Sequence, residues 1–441
     1  MHLDNWLAQR AATCPDRVAL IADGVELTYA ELEREAVSVA RRLAARGARR
    51  GAVVILELPA GLSYAVYLHA LMKLGAIAYP LNTRLTATER HAEIDRARAA
   101  LVLSGSEGTP LTEADLPLLG EHDLGALHCR ILTSGTSGRS RPVGLTYGNH
   151  LWSAVGSAFN IGVEPSDRWL CCLPLYHVAG LSIVMRSVIY GIGAVVHDGF
   201  DVDAVAESLE GDGVTIVSLV ATQLSRLLEA GVDLLPLRAV LVGGGPVPVE
   251  VLEEAIGRGA TVVQTYGMTE TASQVTTLAP EDAGRKLGSA GRPLLTTHLR
   301  IHQGEILVQG PTVAPGVADE DGWLHTGDIG RIDEEGFLYV TDRLRDVIVT
   351  GGENVIPAEV EEVLLRHRDV ADAAAVGRAD AEWQEAVVAV VVPRGGAQLD
   401  AEELHRHCAG ALADFKVPKR FEFVAELPRT ASGKLIRRAL R

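Results

Sequence analysis

The stretch Thr133-Ser134-Gly135-Thr136-Ser137-Gly138-Arg139-Ser140-Arg141 concentrates hydroxyls, glycines and two arginines directly after the apolar pair Ile131-Leu132. Glycines let backbone N–H groups close on a ligand, hydroxyls donate further hydrogen bonds and guanidinium groups supply charge, so these residue types suit a polyphosphate. The same composition also makes surface turns, and the spacing is not that of the common G-x-x-x-x-G-K-[ST] phosphate loop. Further stretches place glycine, hydroxyl or charge at element ends. Val242-Gly243-Gly244-Gly245-Pro246 offers bare backbone on which a flat ring can lie. Gln264-Thr265-Tyr266-Gly267-Met268-Thr269-Glu270 combines an aromatic ring, hydroxyls and a carboxylate, enough to stack on a base, bond a phosphate and hold Mg²⁺. In Trp323-Leu324-His325-Thr326-Gly327-Asp328 an aspartate after a glycine can accept hydrogen bonds from ribose hydroxyls. Asp342-Arg343-Leu344-Arg345-Asp346 and Thr350-Gly351-Gly352-Glu353-Asn354 flank a short apolar run, and Pro428-Arg429-Thr430-Ala431-Ser432-Gly433-Lys434 presents a lysine on a glycine- and hydroxyl-rich turn. Each also has an ordinary reading: a tight turn, a buried tyrosine beside a solvated glutamate, a turn aspartate, a solvated lysine.

The elements that must position these groups alternate between strand and helix. Residues 28–46 carry Leu32, Ala36, Val39, Ala40 and Leu43 at helical spacing behind Thr28 as cap, with Gly47 as the stop. The β-branched run 53–58 reads as a buried strand followed by a helix to Leu74, and the pattern recurs at 100–103, 215–220, 239–242 with a helix at 248–256, and 261–264. A parallel, helix-covered sheet accommodates that alternation. From about Leu299 the texture changes to short strands and turns, including 304–310 and 333–340. After Asp342 come a strand at 347–349, a helix at 357–367 begun by Pro357, a strand at 386–392 and a helix at 400–413. The expected fold is α/β: a large N-terminal domain, 1–342, of helix-covered parallel-type sheets with a β-rich subdomain over about 299–342, then a small mobile α+β C-terminal domain, 343–441.

Length and composition agree. A chain of 441 residues exceeds the roughly 250–300 at which one core stops growing, so more than one domain is expected. The formal charge of −16 argues against a broad nucleic-acid or anionic-membrane surface. Five cysteines without a C-x-x-C pair suggest neither a disulfide framework nor a zinc site, and point to a reducing cytoplasm. No signal peptide or membrane span is expected, because the most apolar later segment, 171–196, is interrupted by Pro174, His177 and Arg186.

In their order along the chain these stretches resemble the acyl-adenylate-forming superfamily of acyl- and aryl-CoA synthetases, luciferases and nonribosomal adenylation domains. Leu173-Pro174-Leu175-Tyr176-His177, Arg186-Ser187-Val188-Ile189-Tyr190-Gly191, Gly148-Asn149-His150 and Ser273-Gln274-Val275 are most similar to the o-succinylbenzoate:CoA ligases of menaquinone biosynthesis. The resemblance implies ATP, Mg²⁺ and coenzyme A as reactants or cofactors and a small carboxylate, 2-succinylbenzoate, as substrate. It implies that Thr133, Ser134, Gly135, Thr136, Ser137, Gly138 and Arg141 grip phosphates, that Glu270 holds Mg²⁺, and that Thr269, Glu270 and His177 serve catalysis with Lys434. Gly243, Gly244, Gly245, Pro246, Gln264, Thr265, Tyr266 and Gly267 would bracket the nucleotide, and Asp328 and Arg343 its ribose. Lys434 would bridge the carboxylate and the α-phosphate; His177, Gly267 and Ser273 would line the acyl pocket. The Gly351-Gly352-Glu353 turn would reach the site after rotation about a hinge near Arg345. One departure stands out: where the family loop carries P-K, this chain has Ser140-Arg141, with Pro142 displaced by one. Other aryl- or acyl-CoA synthetases, a stand-alone module loading a carrier protein, and self-association all stay open.

Overall fold

The computed structural model describes the chain except residues 106–113, 115, 134–140, 344–345, 351–352, 381–382, 396, 398 and 431–434, and gives the backbone alone for 342, 343, 349, 353, 354 and 384. By contacts the chain divides into two units, 1–299 with 308–324, and 300–307 with 325–441. The expected boundary at 342/343 falls inside the second.

The first unit holds a nine-stranded sheet in the order Arg292–Pro293, Ser273–Thr277, Val262–Met268, Ala239–Val242, Ile216–Leu219, Arg168–Cys171, Gly193–Val196, Val18–Ala22, Val25–Thr28. The six strands from Val262–Met268 to Val18–Ala22 are parallel, and the edges are antiparallel. Inner strands such as Ala239–Val242 are buried throughout, which requires cover on both faces. Helices Val202–Gly211, Ala221–Glu229 and Val249–Gly257 cover one face, packing Val205, Leu224, Leu227 and Leu252 against Val217 and Val240. The edge hairpin Val18–Ala22/Val25–Thr28 turns on Asp23-Gly24, both with φ positive (54° and 73°), as a two-residue hairpin requires.

A second sheet runs Leu101–Ser104, Val53–Glu57, Ile77–Pro80, Leu127–Thr133, Arg141–Thr146, parallel except for its last pair. Helix Tyr29–Ala45 begins as expected: Glu31 N–H donates to Thr28 Oγ1 and Thr28 N–H to Glu31 Oε2, a reciprocal cap worth about 1 kcal/mol. Beside the Leu127–Thr133 strand lies a group of buried histidines. His128 meets His150 edge to face at 4.8 Å, and His122 stacks on Tyr147 at 4.4 Å. Burial keeps them neutral: it pulls the pKa of His69 and His150 to about 3, that of His122 to about 4, and that of His128 well below the usual range. Lys73 adds to the effect on His69 and His122, and Arg186 to that on His150.

Strands His298–His302, Glu305–Gln309, Leu324–Ile332 and Leu338–Arg343 form a four-stranded sheet, most of it in the second unit. A second sheet there runs Glu353–Val355, Ile348–Thr350, Gln384–Pro393, Val370–Asp380, with Arg420–Phe423 parallel to Gln384–Pro393. Helices Pro357–Leu365 and Ala401–Ala409 cover it through Val360, Leu364 and Leu404. The α/β character and the α+β tail are as expected. Among the described residues no helix is long and apolar enough to cross a membrane.

Candidate active site

Parallel strands place their carboxyl ends on one edge, where ligands of open α/β sheets collect. Three of the chemically equipped stretches emerge on that edge of the nine-stranded sheet. The turn at 243–246 leaves Ala239–Val242 against the neighbouring strand: a Cβ on Gly243 would stand 2.8 Å from Thr265 Cγ2 and 2.9 Å from Thr265 O. Gly244 has φ +83°, and a Cβ on Gly245 would meet nothing within 4 Å, so bare backbone faces open space. Pro246 continues this exposed turn. Gln264 and Thr265 carry structural hydrogen bonds: Gln264 Oε1 accepts Gly288 N–H at 3.0 Å, and Thr265 Oγ1 donates to Thr276 O at 2.9 Å.

The strand expected at 261–264 runs on into the Tyr266–Glu270 motif, Val262–Met268, and ends in a 3-10 turn at Thr269–Thr271. The register to Ser273–Thr277 slips between Tyr266 and Gly267, and a Cβ on Gly267 would lie 1.7 Å from Ser273 O. Only glycine fits. Met268 N–H donates to Thr271 Oγ1 at 3.1 Å, and Ala272 and Ser273 take φ of 50° and 96° to close the turn. Ala314 N–H holds Glu270 O at 2.8 Å, and Ser153 Oγ donates to Ala272 O at 2.8 Å. Glu270 is half-buried on this fixed turn, and among the described residues no lysine or arginine pairs with its carboxylate. It is the hard oxygen donor that Mg²⁺ takes.

Strand Arg141–Thr146 packs against the Thr269–Thr271 turn. Its register to Leu127–Thr133 opposes Arg141 to Thr133, whose Oγ1 donates to Arg141 O at 3.2 Å. Ser134, Gly135, Thr136, Ser137 and Gly138 lie outside the described residues. Helix Tyr147–Ile161 follows, and Asn149 Nδ2 donates to Pro311 O and Val313 O (2.9 and 3.1 Å), which steadies the segment whose Ala314 holds Glu270.

The third stretch follows Arg168–Cys171. His177 stands at the N-cap position of helix Val178–Tyr190 with its ring edge-on to Tyr176 at 4.7 Å. Further along this helix lies a buried charge, Arg186. Arg186 is 3% exposed, donates to Ser153 Oγ at 3.0 Å and sits 5.7 Å from the Trp169 ring centroid. Among the described residues no carboxylate pairs with it, and burial lowers its pKa. Through Ser153 it connects to Ala272, two residues from Glu270. Its type and spacing are those of any helical arginine, so only the fold could single it out.

In the second unit, Thr326-Gly327-Asp328 lies within a strand, Leu324–Ile332, so Asp328 is not a turn aspartate. The strand register opposes Asp328 to Arg343, so two residues fifteen apart in sequence become cross-strand neighbours. Asp328 is buried, its N–H donating to Thr326 Oγ1 at 3.1 Å, and Thr326 donates in turn to Ile306 O at 2.7 Å. Glu353 pairs with Thr350 across a hairpin. Gly351, Gly352, Arg345 and Lys434 lie outside the described residues.

A parallel sheet with a glycine turn and a Tyr-Gly-x-Thr-Glu hairpin at its carboxyl edge defines a class. Residues 7–130 and 121–317 match the AMP-binding enzyme family and residues 359–434 its C-terminal domain. The chain belongs to the AMP-binding enzyme family. Within it the chain is an AMP-forming acid:CoA ligase, similar over its full length to the 2-succinylbenzoate–CoA ligases of Bacillus cereus and Bacillus mycoides, each 41% identical with 98% of the relative covered. The o-succinylbenzoate CoA synthetase of Bacillus subtilis in complex with its acyl-adenylate intermediate superposes with a TM-score of 0.93 at 38% identity, covering 100% of this chain and 98% of that one. The ATP-bound MatB of Rhodopseudomonas palustris gives 0.92 at 26%, with the same coverages.

Proposed function

We propose that this chain activates 2-succinylbenzoate as its acyl-adenylate and transfers the acyl group to coenzyme A. The observation that carries the choice of acid is Arg186, a buried guanidinium without a carboxylate partner among the described residues, on the helix that begins at His177. Leaving a charge buried and uncompensated costs several kcal/mol, a cost that an anionic ligand offsets. A dicarboxylic acid supplies such an anion and still offers a second carboxylate for reaction; a simple benzoate does not.

In the first step a carboxylate oxygen of the substrate bonds the α-phosphorus of ATP and the bond to the β-phosphate oxygen breaks, releasing pyrophosphate. In the second, the thiolate of coenzyme A bonds the acyl carbon and AMP leaves. Both steps bring anions together, so positioning and fixed positive charge lower the barriers. Gly243–Gly245 and Tyr266 hold adenine, Asp328 and Arg343 the ribose, and the 133–141 stretch the departing phosphates, with Arg141 in place of the usual lysine. Glu270 holds Mg²⁺, which when bound neutralises phosphate charge. Lys434 bridges the carboxylate and the α-phosphate, and residues 343–441 turn about Arg345 between the steps, bringing Gly351-Gly352-Glu353 into use. A cytoplasmic setting, where ATP and coenzyme A are supplied, is part of the proposal.

Omission of coenzyme A tests the reaction type. The enzyme with ATP, Mg²⁺ and 2-succinylbenzoate should retain acyl-adenylate and release pyrophosphate in equal amount; release of ADP and phosphate would refute it.

A further inference from the structure

Helix Tyr147–Ile161 grips the turn that carries Glu270 through residues one helical turn apart. Asn149 and Ser153 stand four positions apart and so share a face. Asn149 Nδ2 holds Pro311 O and Val313 O at 2.9 and 3.1 Å, and Ala314 N–H in turn holds Glu270 O at 2.8 Å. Ser153 Oγ donates to Ala272 O at 2.8 Å. Ala272 and Ser273 take φ of 50° and 96°, a region that residues with a Cβ keep only where the surroundings fix the backbone. The serine hydroxyl supplies such a fixing bond two residues after Glu270.

Ser153 has a second contact. Its oxygen accepts from Nη2 of Arg186 at 3.0 Å, on helix Val178–Tyr190 packed alongside. A hydroxyl has one hydrogen to give and lone pairs to receive, so both roles are filled at once. Ser153 is 2% exposed and Arg186 3%, so water does not compete for either bond. In such an interior, donation from a guanidinium polarises the hydroxyl and strengthens its own donation onward. Arg186 Nε makes no hydrogen bond among the described residues, which leaves the bond to Ser153 and the Trp169 ring to orient the guanidinium.

We propose that Ser153 is a positioning residue shared by two anchors: one hydroxyl orients the guanidinium that takes the acid's second carboxylate and holds the turn that presents Glu270 to Mg²⁺. The inference rests on Arg186 anchoring the acid and Glu270 holding the metal. Both bonds of the hydroxyl run to protein groups, so Ser153 acts through Arg186 on one side and Ala272 on the other. Its removal should therefore damage two parameters together, the affinity for the acid and the requirement for Mg²⁺.

The test follows acyl-adenylate formation without coenzyme A, varying free Mg²⁺ and 2-succinylbenzoate in turn at fixed ATP, with thermal melts establishing that each variant is folded. Ser153→Ala should raise the Mg²⁺ concentration for half-maximal rate about 10-fold, the cost of losing a group that orients a metal ligand. It should also raise KM for 2-succinylbenzoate about 3- to 10-fold, the worth of one hydrogen bond to a charged group. Should Ser153→Ala fail to fold, Ser153→Cys, which keeps the volume and most of the shape but bonds weakly, should show both rises. Combined with Arg186→Met, Ser153→Ala should add nothing to KM for the acid yet still raise the Mg²⁺ requirement, because members of one hydrogen-bonded chain are not additive. A rise in one parameter alone, in neither, or an additive rise with Arg186→Met overturns the proposal. The other single variants separate the cases. If Arg186→Met leaves KM for the acid unchanged, or Glu270→Gln leaves the Mg²⁺ requirement unchanged, the underlying reading fails and this inference with it; if both respond and Ser153→Ala does not, this inference alone fails.

Discussion

Arg186 and Glu270 are the two charged groups on which the account leans most, and they are held differently. Glu270 rides on a turn whose backbone is tied by Ala314 and Ser153, so its position is set by hydrogen bonds that do not involve its carboxylate. Arg186 is enclosed, with Ser153 Oγ and the face of Trp169 as its described partners. Replacing an uncompensated buried charge with an apolar side chain of similar length removes a desolvation cost. Arg186→Met should therefore leave thermal stability unchanged or raise it, while KM for 2-succinylbenzoate rises about 10- to 100-fold, the worth of a charged hydrogen-bonded contact. Steady-state kinetics and a melt check both halves, and KM for ATP should stay constant. A parallel fall in stability and in affinity for ATP would assign Arg186 to the core instead.

The hairpin Val262–Met268/Ser273–Thr277 places chemistry by a register slip, and the slip depends on Gly267. Its Cβ would overlap Ser273 O, so Gly267→Ala must displace one strand or open the bulge. The expected cost is about 2–3 kcal/mol, within the range for overpacking, read as a lowered denaturation midpoint together with loss of acyl-adenylate formation. Such elements explain what was legible beforehand. The capped helix Tyr29–Ala45, the buried inner strands and the glycine turn at 243–246 announce themselves through period, cap and β-branching, which are local signals. The strand character of Tyr266–Met268 and of Thr326–Asp328 was hidden, since glycine and hydroxyl residues read as turns until a partner strand supplies the hydrogen bonds. The Asp23-Gly24 hairpin was legible and missed: Asp-Gly between apolar runs is a strong hairpin signal. The pairing of Asp328 with Arg343, and the isolation of Arg186, follow from tertiary packing alone.

For the molecule as a whole, the buried histidines of the first unit tie stability to pH. His69, His122, His128 and His150 are neutral when folded, with pKa values pulled below the ordinary 6.5 chiefly by burial. Above pH 6.5 both folded and denatured chains hold them neutral, so they leave stability unchanged. Below it the denatured chain binds protons that the folded chain refuses, and stability falls from pH 6.5 towards 4, each histidine contributing up to about 1.4 kcal/mol per pH unit. Denaturant midpoints should drop between pH 7 and pH 5, and His128→Leu should flatten the slope; a midpoint independent of pH over that range would contradict the packing. Two half-reactions, a carboxylate for the metal and a buried cation for a second acid group converge on one measurable activity. Thioester formation with ATP, Mg²⁺ and coenzyme A should be far more efficient, by kcat/KM, for 2-succinylbenzoate than for benzoate or fatty acids, with one AMP released per thioester. Equal or greater efficiency with the monocarboxylates, or no thioester with 2-succinylbenzoate, would contradict it.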